Sequence, residues 1–329
     1  MVDGPERDSV AALIRTAGRR AAPPRDDYER VLAVSREAWQ RAVRQRVRRR
    51  WTYAIAAGLA LVALGAGALR QLDGGGATAV AGTLTTANGA VFAGSMAGDE
   101  WHWLSEKDVP VLAGTRLRTD PSGRAVLQLA PDSSLRVAGL TDLVLQQGDR
   151  VELLSGRVYL DTQGGTSKVE IVTRFGTLRD IGTQFEVLAT DATLRVRTRE
   201  GAVTLTRGKH DVIECAVSEE LRVDSQGRIE RGHIATHDEE WAWAETLAQP
   251  PQGPELPLLR FLDWVARETG RRLRYDSADI ELRVRKVVLH GTTPNLAPVQ
   301  ALEVALATTD IDYSLLDDGT ILLRRRQSP

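Results

Sequence analysis

The sequence predicts a multi-domain fold: a short helical N-terminal segment, one transmembrane helix, an all-β domain and a small α+β C-terminal domain. Three observations carry this. Thr52–Leu69 is uncharged and apolar and directly follows Arg41, Arg44, Arg46, Arg48, Arg49 and Arg50. From about Gly89 to Val223, short runs of alternating polar and apolar residues recur at intervals of about 8–12 positions, a β-domain spacing. Beyond Pro257, helical and strand-like runs mix within about 70 residues.

Residues 1–50 read as a cytoplasmic helical segment. Val10, Leu13, Ile14 and Ala17 lie at helical spacing in Ser9–Arg20, and Gly18 with Pro23-Pro24 ends that helix. Asp26 is an N-cap for a second helix, with Glu29 in capping-box position. Its stripe of Tyr28, Val31, Leu32, Ser35, Trp39, Ala42 and Val43 is more than a 50-residue piece can cover alone. Tyr28, Val31, Leu32 and Trp39 are therefore candidate partner-binding residues.

Residues 51–70 read as the membrane span. A run of roughly 20 apolar residues crosses a bilayer as a helix, and Trp51 suits one interface. Gly58, Gly65 and Gly67 are tolerated better in a span than in a soluble helix. Arginines before the span hold the N-terminus in the cytoplasm, so the C-terminal domains lie outside, and the same cluster meets anionic membrane lipid. Formal net charge is −1, so no bulk field attracts nucleic acid. Cys215, the sole cysteine, cannot form an internal disulfide and reads as a small buried hydrophobe.

Residues 71–88, including Asp73–Ala79, read as a flexible linker, and residues 89–232 as the all-β domain. Its runs include Arg124–Leu129, Ser134–Val137, Asp142–Leu145, Arg157–Leu160, Val169–Val172, Gln184–Val187, Thr193–Val196 and Ala202–Leu205. Pro121-Ser122-Gly123, Pro131-Asp132, Gly148-Asp149 and Arg207-Gly208 punctuate them. The pattern fits a sandwich, barrel or coil of strands, with the arginines on the outer strand face.

Within this domain, Ala113–Thr119, Gly123–Leu129, Asp132–Val137, Ser155–Leu160, Val172–Leu178 and Asp180–Val187 occur in an order and spacing that resemble the FecR domain over about 130 residues. The resemblance implies a FecR-type anti-sigma regulator, which carries signals across a bacterial inner membrane to an extracytoplasmic-function (ECF) sigma factor. Only Trp39 and Trp51 occur before the span, and the Ala21-Ala22-Pro23-Pro24 break departs from the tryptophan-containing helices of that family.

Residues 233–257 read as a helix, with Trp241 and Trp243 near its end, and a proline-rich linker from Gln249 to Pro257. Residues 258–325 read as the α+β domain in the order helix, strand, strand, helix, strand, strand, with Arg283–Leu289 as its second strand. Leu258–Gly270, Leu273–Asp276, Val287–Gly291, Pro298–Ala307, Tyr313 and Asp318-Gly319 resemble the short N-terminal (STN) module shared by secretins and TonB-dependent outer-membrane receptors. That resemblance implies a periplasmic docking module, with an outer-membrane TonB-dependent receptor or another periplasmic protein as its partner.

No enzyme motif stands out: there is no P-loop, dinucleotide fingerprint or nucleophile elbow, and no cofactor is expected. His233 and His237, at i,i+4 spacing, lack the further ligands of a zinc site and read as a solvated helix face, so no metal is expected. Gly182-Thr183 is the one chemical candidate. A threonine hydroxyl attacks the preceding carbonyl where a strained turn aligns the two, and some members of the family cut themselves at a matching Gly-Thr. The other reading is a bulge glycine followed by a strand residue. The function expected is a single-pass inner-membrane transducer, N-terminus cytoplasmic, relaying a periplasmic signal to an ECF sigma factor. The alternative is an envelope-anchored adhesion or scaffold protein whose β domain binds glycan or wall polymer.

Overall fold

The structure, a computed structural model, describes residues 79–326 apart from 97, 99, 148, 164–167, 181, 209–210, 252, 254 and 292–295. The N-terminal helices, the Tyr28–Val43 stripe and the span at 51–70 lie outside the described residues. Among the described residues, no helix is long and apolar enough to cross a membrane.

Strands β1 (Val80–Asn88), β2 (Val91–Ser95), β3 (Trp101–Trp103), β4 (Val109–Leu112), β5 (Thr115–Thr119), β6 (Arg124–Ala130), β7 (Ser133–Val137) and β8 (Asp142–Leu145) lead to the long β9 (Arg150–Asp161). They are followed by β10 (Glu170–Thr173), β11 (Gly176–Asp180), β12 (Gln184–Ala189), β13 (Thr193–Glu200), β14 (Ala202–Arg207), β15 (Asp211–Ala216), β16 (Glu219–Asp224) and β17 (Ile229–His233). The first strand thus occupies the second half of the stretch read as linker. Its burial alternates, and it pairs with both β4 and β6.

Pairing sorts the strands into two layers that share β9. One layer runs β4-β1-β6-β7-β9-β12-β13-β16-β17, all antiparallel. The other runs β3-β2-β5-β8-β9-β10-β11-β14-β15, where only β9–β10 is parallel. Arg150–Ser155 serves the second layer and Gly156–Asp161 the first. Period-2 alternation directs Leu127, Leu135, Val158, Phe185 and Val196 from one layer, and Leu117, Leu143, Ile171 and Leu205 from the other, into one shared core.

Ile234 begins a crossing segment: a 3₁₀ turn (Glu239–Trp241), the one-turn helix α1 (Ala242–Glu245) and the short strand β18 (Glu255–Pro257). Asp238 caps the turn by accepting from the Glu240 amide at 2.9 Å. The α+β domain follows as α2 (Leu258–Thr269), β19 (Arg272–Tyr275), α3 (Ala278–Lys286), β20 (Val288–His290), α4 (Pro298–Ala307), β21 (Ile311–Leu315) and β22 (Thr320–Arg325). Leu258, Phe261, Leu262 and Val265 of α2 pack with Leu302 and Leu306 of α4 over the β19-β22-β21 sheet.

The segment from Arg283, read as strand, is mostly helix. Ser277 caps α3, acidic Asp279 and Glu281 lie in its first turn, and Arg283, Arg285 and Lys286 in its last. Ile280 and Val284 bury one helix face, and the strand begins only at Val288. His233 ends a strand and His237 lies beyond it, so the two share no helix face. Among the described residues, no acidic, histidine or cysteine cluster is arranged to hold a metal.

Candidate functional site

The outer face of the first layer is polar, as alternation requires, but it is covered. The strands direct Arg136, Tyr159, Asp161, Gln184, Glu186 and Arg197 away from the apolar core. Each of them is at most 3% exposed. Arg199 is equally buried at 2%. The crossing segment and the C-terminal end of α2 cover them, all within the compact unit that spans Thr78–Pro329.

Burying ions costs several kcal/mol each unless partners replace water, and here partners are supplied from the covering side. Arg136 donates through Nη1 to the Ala244 carbonyl at 3.0 Å and through Nη2 to Glu268 Oε1 at 2.9 Å. Arg199 donates to the carbonyls of Thr236 and Glu268, at 2.6 and 2.7 Å, and to Glu245 Oε1 at 2.6 Å. Arg197 links Glu220 of the sheet to Glu240 of the 3₁₀ turn. Glu186 accepts from Trp243 Nε1 at 2.7 Å and from Arg195 Nη2 at 3.1 Å. Burial pushes the Glu268 carboxyl above the usual glutamate range, with Arg136 opposing the rise and Asp161 adding to it.

Aromatic rings fill the space between these ions. Trp241, 1% exposed, meets Tyr159 edge-to-face at a centroid distance of 6.0 Å. Arg199 lies 5.3 Å from the Trp241 ring centroid and Arg157 lies 4.7 Å from that of Trp243. Trp241 Nε1 donates to the Ala235 carbonyl at 2.9 Å. Gly270 ends α2 at a left-handed φ of 60° and accepts from Thr236 Oγ1 at 2.6 Å.

Gly182-Thr183 lies beside this junction, at the entry to β12. Gly182 has φ 66°, a left-handed conformation that a side chain would strain. Thr183 is fully buried, and its Oγ1 finds no hydrogen-bond partner among the described residues. Thr162 brackets its backbone: Thr162 N donates to the Thr183 carbonyl at 3.1 Å, and Thr183 N donates to Thr162 Oγ1 at 2.9 Å. A buried hydroxyl normally has a partner. This one has none among the described residues, and it follows a left-handed glycine.

Alternation alone assigns the arginines to the outer face of the strands but does not reveal that the face is covered. Trp241 and Trp243, close to Glu239, Glu240 and Glu245, were the available cue. Cys215 is buried in the apolar core, as a small hydrophobe, and His237 reaches from the crossing segment to the Asp317 carbonyl oxygen, 3.1 Å from its Nε2.

Two comparisons with known proteins find similarities. Two crystal structures of an anti-sigma factor candidate from Parabacteroides distasonis ATCC 8503, at 1.65 and 2.50 Å resolution, are similar at 16% identity. Each similarity covers 64% of this chain and 98% of the other, with a TM-score of 0.34. No curated protein matches the chain. Residues 115–204, from β5 into β14, match the family model described as FecR protein.

Proposed function

We propose that this chain is a single-pass inner-membrane signal transducer of FecR type. Its N-terminal segment, through Tyr28, Val31, Leu32 and Trp39, holds an ECF sigma factor, and its outer domains receive contact from an outer-membrane receptor. The observation that carries the reading is the FecR segment at 115–204. The arginine-flanked apolar run at 52–69 supports the membrane placement, and the STN resemblance of 258–325 supports a docking role outside. A span transmits information only if two states differ in free energy, so a receptor must bind one arrangement of the outer domains better than the other.

Self-cleavage at Gly182-Thr183 belongs to this reading. Thr183 Oγ1 attacks the Gly182 carbonyl carbon, its proton passes to the Thr183 nitrogen, and the C–N bond breaks to leave an ester. Water then hydrolyses the ester to a Gly182 carboxylate and a free Thr183 amine and hydroxyl. The left-handed Gly182 and the unpartnered buried hydroxyl support this chemistry. After the cut, β12 remains paired with both β9 and β13, so the pieces stay together until denatured.

The full chain, freshly purified in detergent, tests both parts. It is expected to capture a sigma factor, with Trp39→Ala weakening capture, and to run as two pieces on a denaturing gel, with Thr183→Ala intact and Thr183→Ser cut. Capture of lipid alone would end the sigma-factor reading; a single band would end the cleavage reading.

A further inference from the structure

Thr183 is connected to the C-terminal module by consecutive hydrogen bonds. Arg267, in the last turn of α2, donates through Nη1 to both oxygens of Asp161, at 2.7 and 2.8 Å. Asp161 also accepts from Gln184 Nε2 at 3.2 Å and from the Gln163 amide at 2.9 Å. Gln184 directly follows Thr183, and Thr162, between Asp161 and Gln163, holds the Thr183 amide and carbonyl. One carboxylate thus contacts both of the paired strands that flank the Gly182-Thr183 corner.

That carboxylate depends on the module. Asp161 is 1% exposed, so little water solvates its charge. Apart from Arg267, its nearest cation is Arg136 Nη2 at 3.9 Å, which Glu268 already engages at 2.9 Å. Without Arg267, Asp161 is a buried anion with one distant cation, and the 161–163 segment must open toward water. The Thr183 backbone then loses the Thr162 bonds that hold its amide and carbonyl.

We propose that Asp161, held by Arg267, is a positioning residue for the Gly182-Thr183 rearrangement, so that docking of the C-terminal module on the β domain sets the rate of self-cleavage. The inference rests on the cleavage reading, which it deepens by assigning its regulation. With the module docked, the corner is held and the chain cuts itself. A partner that draws the module away slows the cut in chains not yet processed.

The test uses the full chain in detergent, with two measurements on each variant: the cleavage half-time from the moment of folding, and hydrogen exchange of the backbone amide at position 183, read in the Thr183→Ala background so that the bond stays intact. Arg267→Gln is expected to slow cleavage about tenfold and to speed that exchange about tenfold. Arg267→Lys, which restores the charge, should recover both to within about threefold of wild type. Asp161→Asn, nearly the same shape, should reproduce the loss even if Arg267→Gln folds poorly. A wild type that cuts itself while Arg267→Gln and Asp161→Asn cut equally fast, with exchange at position 183 unchanged, overturns the coupling and leaves the cleavage standing. Loss without recovery in Arg267→Lys, with exchange raised evenly over β9 and β12, is general loosening and also overturns it. If wild type never cuts itself, the cleavage reading falls, and exchange alone decides whether Arg267 holds the corner.

Discussion

Gly270→Ala is the sharpest test of the docked arrangement. At φ 60°, an alanine carries a left-handed cost of about 1–2 kcal/mol. Its Cβ would also fall 2.0 Å from the Thr236 carbonyl oxygen and 2.6 Å from Arg199 Nε, closer than atoms approach without moving. Neither neighbour gives way freely. The Thr236 oxygen belongs to backbone, and Arg199 is fixed at three points, including the Glu268 carbonyl at 2.7 Å. Overpacking of this kind costs about 1–3 kcal/mol. Separating Thr236 Oγ1 from the Gly270 carbonyl, now 2.6 Å away, adds about 1 kcal/mol. The expected loss is about 3–6 kcal/mol. Gly208→Ala is the control, because φ there is 59° but nothing lies within 4 Å of the added carbon, so only the conformational part applies. Urea unfolding of the purified full chain, followed by tryptophan fluorescence with Trp241 as the junction reporter, measures both. If the two variants are destabilised equally, within about 0.5 kcal/mol, the close approach of α2 to the Thr236 backbone is refuted.

Other outcomes follow from the same geometry. Because Glu268 has a folded-state pKa above its unfolded value, its favourable contribution is fully present below the ordinary glutamate pKa and is lost as pH rises through the raised value. The melting temperature of wild type minus that of Glu268→Gln should therefore decline over that interval in a calorimetric pH series. Trp243→Phe removes the 2.7 Å bond to Glu186, a carboxylate with no exposure, and should cost about 2 kcal/mol in denaturant unfolding with the ring packing largely kept. Phe261→Ala empties a position in the α2–α4 core and should cost about 3–5 kcal/mol, while Arg324→Ala, which breaks an exposed 3.0 Å pair with Asp312, should cost less than about 1 kcal/mol; thermal melts compare the two.

Much of the β domain was legible because side-chain alternation depends on neighbours two residues apart. Val158, Leu160, Phe185 and Val187 all lie in the core, as their runs predict. The errors lie where the deciding contacts are distant or the local pattern is ambiguous. Val80–Asn88 follows a glycine-rich stretch and looks like linker until its partners, some 30 to 40 residues away, are known. Ala278–Lys286 offers two buried residues to any periodicity count, and Ser277 with its acidic first turn was the stronger cue to a helix. At the candidate site, Gly182-Thr183 stood out as a dipeptide, but the orphaned hydroxyl and the left-handed glycine are tertiary facts. Arg136, Asp161, Arg199, Arg267 and Glu268 were unreadable as a group because they come from β7, β9, β13 and α2, and only the fold brings them together.

The two surfaces that meet at this junction set buried ions beside the Tyr159, Trp241 and Trp243 rings, and this bears on what would happen if they parted. An apolar interface of the same extent would leave greasy patches on both halves and commit an opened molecule to aggregation or to a chaperone. Arginines 136, 197 and 199, with Asp161, Glu186 and Glu268, are groups that water solvates well once it reaches them. Each half would keep its own apolar core, and the cluster around Trp241 would be the apolar surface that parting uncovers. A junction rich in ions makes the ionic strength of the surroundings one of the variables that set how firmly it closes.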